Sequence, residues 1–371
     1  MTRRNNSTLK MLTARGSRRG NASSNASSQP RGFTLIETLV GLTVLVLILS
    51  IVIVSVSRAR KSAKAAVQAQ SLASLKTAVS TFIQNFNFPP PLCKDMSKYP
   101  AAPRPTDIYA FMAGGENKLA VYDSTVPKDV DFLRRKDAPA LPSNWGKTDG
   151  NLGKYYDPRF STASLTFYLV GVADKKITAG NTDTPVDGKV GPGFLRPRAD
   201  GTFEVPESAK VKPSAGGGSN TSNRTGDSFG PFIDTDKGQL KMVRTGDRYE
   251  LMDDKGVPYR YYRWEKGNAT TGTVTTFSEQ NIPWLLVQVL TPEAYRSFNA
   301  DDAKRKEPEC ATRMIGLNSA TYAVMSAGPN GLFGDEPIIE IQSKLSGVSG
   351  LADEEVVRRR AYEDNVVEVG S

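Results

Sequence analysis

The sequence predicts an α+β protein: one long N-terminal α-helix, a transmembrane half followed by an amphipathic half, packed on a small antiparallel β-sheet head with large irregular insertions. Three observations predict it. An apolar run from Phe33 to Val56 leads directly into an amphipathic stretch that ends at Pro89-Pro90-Pro91. Strand-like segments punctuated by turns gather after residue 245. Between the two, from about 92 to 245, lies a Pro-, Gly-, Lys- and Asp-rich stretch with little periodicity.

The first 32 residues read as a basic leader. Arg3, Arg4, Lys10, Arg15, Arg18, Arg19 and Arg31 precede Phe33, and no acid does. These are seven of the 48 basic residues; the other 41 face 39 acids, so the net charge of +9 belongs mostly to the leader. A DNA-binding arm is the alternative reading, and the hydrophobic run directly behind it argues against a nucleic-acid partner. The composition NASSNASSQP predicts disorder there.

The run FTLIETLVGLTVLVLILSIVIVSV (33–56) holds one charge, Glu37. At ~1.5 Å per residue it is about 36 Å long, enough for a hydrocarbon core of ~30 Å. Seven basic residues before it outnumber Arg58, Arg60, Lys61 and Lys64 close after it. The positive-inside rule then places the N-terminus in the cytoplasm and the body across the membrane. An ordinary signal peptide cut near Ser55-Val56-Ser57 conflicts with the length of the run and with the helical pattern that continues through that point. A plain signal anchor leaves Gly32 and Glu37 without a role.

Beyond Val56 the pattern stays helical. Ala65, Ala69, Leu72, Leu75, Val79, Phe82, Ile83 and Phe86 form an apolar stripe in steps of three and four, which predicts a helix face packed on the head up to residue 88. One helix from Phe33 to Phe86 would be roughly 80 Å long. In the head (89–371) the reading is a surface excursion from Pro89 to Asn151 with room for a short helix near Asp107 to Ala113, a segment over 164–172 whose spacing favours a helix while its composition also fits a strand, and a flexible Gly/Ser/Asn loop over 213–227. RYELMDDKGVPYRYYRW (248–264) holds two strands around the turn Asp253-Asp254-Lys255-Gly256. Residues 282–291 read as a strand or short helix, 320–336 as a strand running into a glycine loop, and 363–371 as a terminal strand.

The composition excludes whole classes of chemistry. There is no histidine, so Ser-His-Asp and Cys-His catalysis and His-ligated metals are absent. No Gly-rich phosphate loop with P-loop spacing occurs. The two cysteines, Cys93 and Cys310, have no metal-ligand spacing. For an exported head they form one disulfide or remain two thiols.

Arg31-Gly32-Phe33-Thr34-Leu35-Ile36-Glu37 resembles the cleavage and methylation motif of type IV pilins and type II secretion pseudopilins. The resemblance implies a membrane prepilin peptidase that cuts between Gly32 and Phe33 and N-methylates Phe33. It also implies an assembly role for Glu37, whose carboxylate would meet the new amine in its own chain or in a neighbouring subunit. A buried amine is costly unless paired. The bland alternative places Glu37 in the membrane interface with no partner. Partners implied are other pilin or pseudopilin subunits, an inner-membrane assembly platform and lipid. The localisation implied is the bacterial inner membrane, single-pass, with a periplasmic or extracellular head. Many pilins carry a proline in the membrane half; here Gly41 is the only helix-weakening residue in that half.

A second part of the chain is similar to the major pseudopilin. Asp254, Gly256, Pro258 and Tyr259 resemble its D-x-G-x-P-Y turn. Ser326, Ala327, Gly328, Asn330, Gly331, Gly334 and Asp335 resemble its glycine loop, with Asn330 where an aspartate is usual. The resemblance implies calcium at that loop, with Asp335, Glu336 and Asp364 as carboxylate ligands. A glycine turn with solvated acids is the alternative. The stretch 92–245 has no counterpart, and the chain's size points to a minor or specialised subunit. Two other functions fit parts of the sequence: a membrane-tethered binding protein with no filament role, and a tethered enzyme, which lacks any recognisable nucleophile and base.

Overall fold

The computed structural model describes residues 34–95, 108–111, 117–133, 157–179, 182–204, 227–235, 240–246, 248–265, 282–290, 316–317, 319–345, 347 and 354–371. The chain divides into two compact units, Met1–Ser57 and Arg58–Ser371. Gly32, Phe33, Cys310 and nearly all of the 213–227 loop lie outside the described residues.

One helix, α1 (Leu35–Phe86), opens the described chain and runs through Gly41 unbroken. In the first unit its described side chains are exposed. Leu35–Ile53, 19 residues or ~28 Å, is long and apolar enough to cross a membrane. In the second unit α1 is amphipathic. Leu72, Leu75, Val79, Phe82 and Phe86 are buried as the periodicity predicts, each burial contributing roughly 1.5–3 kcal/mol. The helix stops where Asn87 takes a left-handed φ of 62° and its N–H caps the Ile83 carbonyl at 2.7 Å, a conformation asparagine adopts more readily than most residues. Pro89 to Pro91 prevent any continuation.

Among the described residues, six strands and four short helices organise the main part of the second unit. They are β1 (Phe160–Ser161), β2 (Lys241–Thr245), β3 (Arg248–Met252), β4 (Arg260–Arg263), β5 (Tyr322–Ser326) and β6 (Val366–Gly370), with α2 (Pro127–Leu133), α3 (Trp284–Leu290), α4 (Ile338–Lys344) and α5 (Glu354–Tyr362). The main sheet is antiparallel in the order β6-β5-β4-β1. Its alternation sorts two cores. Tyr261, Tyr322 and Val324 join the α1 residues, while Tyr262, Ala323 and Met325 pack with Leu285 and Leu286 of α3. Lys76 pairs with Glu368 of β6 at 2.9 Å. The fold class is therefore α+β, an apolar N-terminal helix followed by small antiparallel sheets. Four further two-stranded ladders lie between residues 92 and 229.

Several sequence expectations change. Ala65 and Ala69 are exposed; Gln68 and Ser71 are buried in their place. The reason is polar: the Gln68 amide reaches the Asp254 carboxylate at 3.5 Å, so this turn of α1 meets the 253–256 turn with hydrogen-bonding groups. The helix expected near Asp107–Ala113 is a strand, Tyr109–Phe111, paired with Asn117–Leu119. Ile108, Tyr109 and Leu119 can all be buried in that extended pair. The helix expected over 164–172 is a π-helical turn, Thr166–Val170, with every residue buried, so no single face was available to mark it. It ends at Gly171, φ 78°, where a Cβ would stand 2.4 Å from the Gly193 carbonyl oxygen. Residues 248–252 and 260–263 flank the expected turn as strands but pair elsewhere, with β2 and with β1 and β5. A single bridge, Met252 to Pro258, joins them, and Pro258 has no N–H to extend the ladder. Of the two alternatives for 282–291, the helix is the one formed, over Trp284–Leu290, and α4 and α5 carry no signal in the sequence reading.

Candidate functional site

The N-terminal segment is built on a reciprocal hydrogen-bond motif. Thr34 precedes the helix, and its carbonyl accepts from Thr38 N–H at 3.2 Å. One carboxylate oxygen of Glu37, Oε2, accepts from both the N–H and the Oγ1 hydroxyl of Thr34, each at 3.1 Å. Glu37 N–H donates to Thr34 Oγ1 at 3.3 Å. This is a capping box, with a carboxylate held over the positive end of the helix dipole. Downstream, every polar side chain described up to Ser55 is satisfied within the helix. Thr38, Thr43, Ser50 and Ser55 donate their hydroxyls to the carbonyls of Leu35, Val40, Leu47 and Ile51. Such a surface can enter an apolar medium without stranding a hydroxyl. Its apolar side chains are open: Leu35 is 82% exposed and Ile53 66%. An apolar patch of this extent marks an interaction surface.

The glycine loop that leaves β5 is the second candidate. Gly328, Gly331 and Gly334 all have positive φ. A Cβ on Gly328 would stand 2.1 Å from the Asp364 carbonyl oxygen, so the loop lies hard against the α5–β6 connection. Arg260, at the start of β4, donates Nη1 to Asp335 Oδ2 at 2.6 Å and Nη2 to Asp335 Oδ1 at 3.0 Å. Its guanidinium lies over two rings, 3.7 Å from Phe333 and 4.2 Å from Phe160. Burial is the largest influence and opposes its charge, but Asp335, Tyr262 and Glu336 together outweigh it and hold the guanidinium protonated. Glu336 accepts from Phe333 N–H and Gly334 N–H, both at 2.7 Å. Burial, with the Asp335 charge second, pushes its carboxyl upward. Arg358 of α5, fully buried, donates Nη1 to the carbonyls of Gly334 (2.9 Å) and Glu336 (2.7 Å). Asn365 Nδ2 holds the Phe333 carbonyl at 3.0 Å.

Residues 28–53 match the prokaryotic N-terminal methylation motif. This chain carries a prepilin methylation motif. The match, together with the apolar helix that follows, supports the type IV pilin and pseudopilin family, whose members are structural proteins and whose precursors are processed by N-methylation. In that family the motif implies a prepilin peptidase and assembly with other pilin subunits, and the apolar helix fits a membrane anchor. No curated protein and no solved structure matches the chain.

Asp335 and Glu336, two of the three carboxylates expected to hold calcium, already have hydrogen-bond partners. Both oxygens of Asp335 are taken by Arg260, both of Glu336 by backbone N–H groups, and three loop carbonyls by Arg358 and Asn365. Among the described residues no group of three or more acids, histidines or cysteines is placed to hold a metal ion. Asn330, at the position where the family pattern has aspartate, uses both ends of its amide. Nδ2 donates to the Ala361 carbonyl at 2.5 Å and Oδ1 accepts from Leu332 N–H at 2.8 Å. An aspartate there would set a charge against the carbonyl end of α5. Cys93 is a buried free thiol that burial, with Asp95 adding, pushes upward and keeps unreactive; its expected disulfide partner, Cys310, lies outside the described residues.

Sequence reasoning missed Thr34, Arg260 and Arg358. The T-x-x-E spacing of Thr34 and Glu37 is itself a capping-box signature. Arg260 stands in PYRYYRW, and an arginine inside an aromatic run signals a buried ion pair. Arg358 carried no local signal within RRR.

Proposed function

We propose that this chain is a structural subunit of a type II secretion pseudopilus or type IV pilus-like filament. It is made as a precursor, cut between Gly32 and Phe33, and N-methylated at Phe33. The observation that carries the reading is the methylation motif opening directly into an apolar, outward-facing helix whose one charge is Glu37. Before cleavage the helix anchors the chain in the bacterial inner membrane. The basic leader stays in the cytoplasm and the head lies beyond the membrane. The peptidase and an assembly platform are the membrane partners.

The capping box supports the proposed role of Glu37. Phe33 adjoins Thr34, so cleavage creates an ammonium one residue before the N–H that Glu37 already holds. The carboxylate reaches back over the first turn and can take the new charge, in its own chain or from a neighbouring subunit. Apolar packing between such helices supplies affinity but little direction. A paired charge in that setting fixes register, because a slipped register would leave an amine unpaired in an apolar medium. Mass spectrometry of the native N-terminus tests the processing step: the expected species begins at methylated Phe33, and a Met1 start would support a plain membrane tether. Cysteine crosslinking between copies within residues 33–56 tests assembly; absence of crosslinks in cells that produce the filament would rule the subunit role out.

A further inference from the structure

We propose that the 326–336 loop folds around guanidinium groups and takes no calcium, with Arg260 as its internal cation and Arg358 as the holder of its carbonyls. The inference stands on the loop's own contacts and does not depend on the filament reading. A calcium ion needs six to eight oxygen ligands, drawn from carboxylates, carbonyls and water. Here the carboxylate oxygens of Asp335 and Glu336 and the carbonyls of Phe333, Gly334 and Glu336 are already accepting. Arg260 makes a fork-on-fork pair with Asp335, the arrangement that suits a planar guanidinium and carboxylate. The guanidinium lies over the rings of both Phe333 and Phe160, so the cation sits in an aromatic setting that a hydrated metal ion could not use. Tyr262 Oη lies 3.2 Å from Nη1 and adds a second oxygen beside it.

Arg358 completes the substitution from the other side. Its Nε pairs with Glu354 at 2.8 Å, one turn back on α5, which aims Nη1 at the Gly334 and Glu336 carbonyls. Asn330 and Asn365 tie the same loop to the end of α5 and the start of β6 through neutral amides. Charge neutralisation, carbonyl capture and attachment to α5 are the three tasks a bound divalent cation would perform. All three are done by side chains of this chain, so the loop is closed in a medium of any calcium content.

The test uses the full chain in detergent, with thermal unfolding followed in EGTA and in millimolar calcium chloride. The expected result is one Tm in both conditions. Arg260→Met should lose on the order of 10 °C and Arg260→Lys should fall between it and wild type, because a lysine keeps the charge but not the fork. Calcium should rescue neither variant. The proposal is overturned by a wild-type Tm that drops in EGTA and recovers with calcium, by an Arg260 variant that melts like wild type, or by a variant that calcium restores. If Arg260→Met does not fold, the Lys variant and the two wild-type conditions still decide the matter.

Discussion

Glu37 and Asp335 are both carboxylates that the sequence singles out, and the structure treats them in opposite ways. Glu37 is exposed, and the partner it holds is three residues away. Asp335 is fully buried, and its partner, Arg260, is 75 residues away. The first is satisfied by local contacts of the kind that exchange readily, so the cleavage proposed above would leave it free to re-pair with the new charge. The second is satisfied by a desolvated ion pair, and breaking such a pair leaves an uncompensated buried charge. A carboxylate meant to act in assembly needs the first environment; one meant to hold a fold needs the second.

The sharpest way to break this contrast is at Glu37. Glu37→Gln keeps an acceptor for the capping box but removes the charge. We expect it to be cut and methylated normally, to melt normally, and to lose filament incorporation almost completely, read as recovery in sheared filaments. Normal assembly of Glu37→Gln would mean that the cap matters and the charge does not. The second largest effect is expected at the other carboxylate. Arg260→Ala should destabilise the head by about 3–5 kcal/mol, measured by denaturant unfolding, while leaving processing of the N-terminus intact. A processing defect in that variant would show that the two regions are not independent in function.

The same contrast explains what could be read from the sequence. Within RGFTLIE, the pairing of Thr34 with Glu37 lies within one helical turn, so the order of these residues is also their order in space. The apolar run and the stripe Leu72, Leu75, Val79, Phe82 and Phe86 were legible for the same reason. Strand positions at 248–252, 260–263 and 322–326 could be found from aromatic and branched residues, but their partners could not. KMVRT (241–245) shows no clean alternation, yet it is the strand that pairs with β3. The loop was recognised by its glycines, whose positive φ is a local demand. What fills it was not, because Arg260 and Arg358 arrive from distant strands and helices. Asn330 is the instructive case: its difference from the family pattern was visible, and the donor role that accounts for it needed α5 in place.

Two intermediate predictions test the local and non-local sides separately. Gly328→Ala places a Cβ 2.1 Å from the Asp364 carbonyl oxygen in a backbone conformation with φ 65°, and should cost about 1–3 kcal/mol or more. A melting temperature equal to wild type would mean the loop does not press on the α5–β6 connection. Thr34→Ala removes the hydroxyl half of the capping box and should cost the helix about 1 kcal/mol. Assembly should then slow rather than stop, since Glu37 keeps its charge. A block as complete as that of Glu37→Gln would make Thr34 an assembly residue in its own right.

The smallest effect expected is a pH dependence of the head, and it separates burial in a forked ion pair from burial held mostly by neutral donors. Asp335 is buried with a cation. Asp187 is buried too, but it is held by neutral N–H groups of Ala173 and Lys189 at 3.1 and 3.2 Å. Burial is the largest cause that pushes its carboxyl up, to about 7. Asp95, fully buried beside Ser161, Thr162 and Ala163, is pushed up to about 6 by burial, with Arg248 opposing. Both acids therefore bind a proton more tightly in the folded chain than in the unfolded one. Their stabilisation is complete below the ordinary carboxylate range and is lost as pH rises through about 6 and then about 7. The head should melt a few degrees higher at pH 5 than at pH 8, and Asp187→Asn should flatten the upper part of that slope. A melting temperature that rises between pH 5 and pH 8 would contradict the assignment and would mean that partners hold these two carboxylates charged.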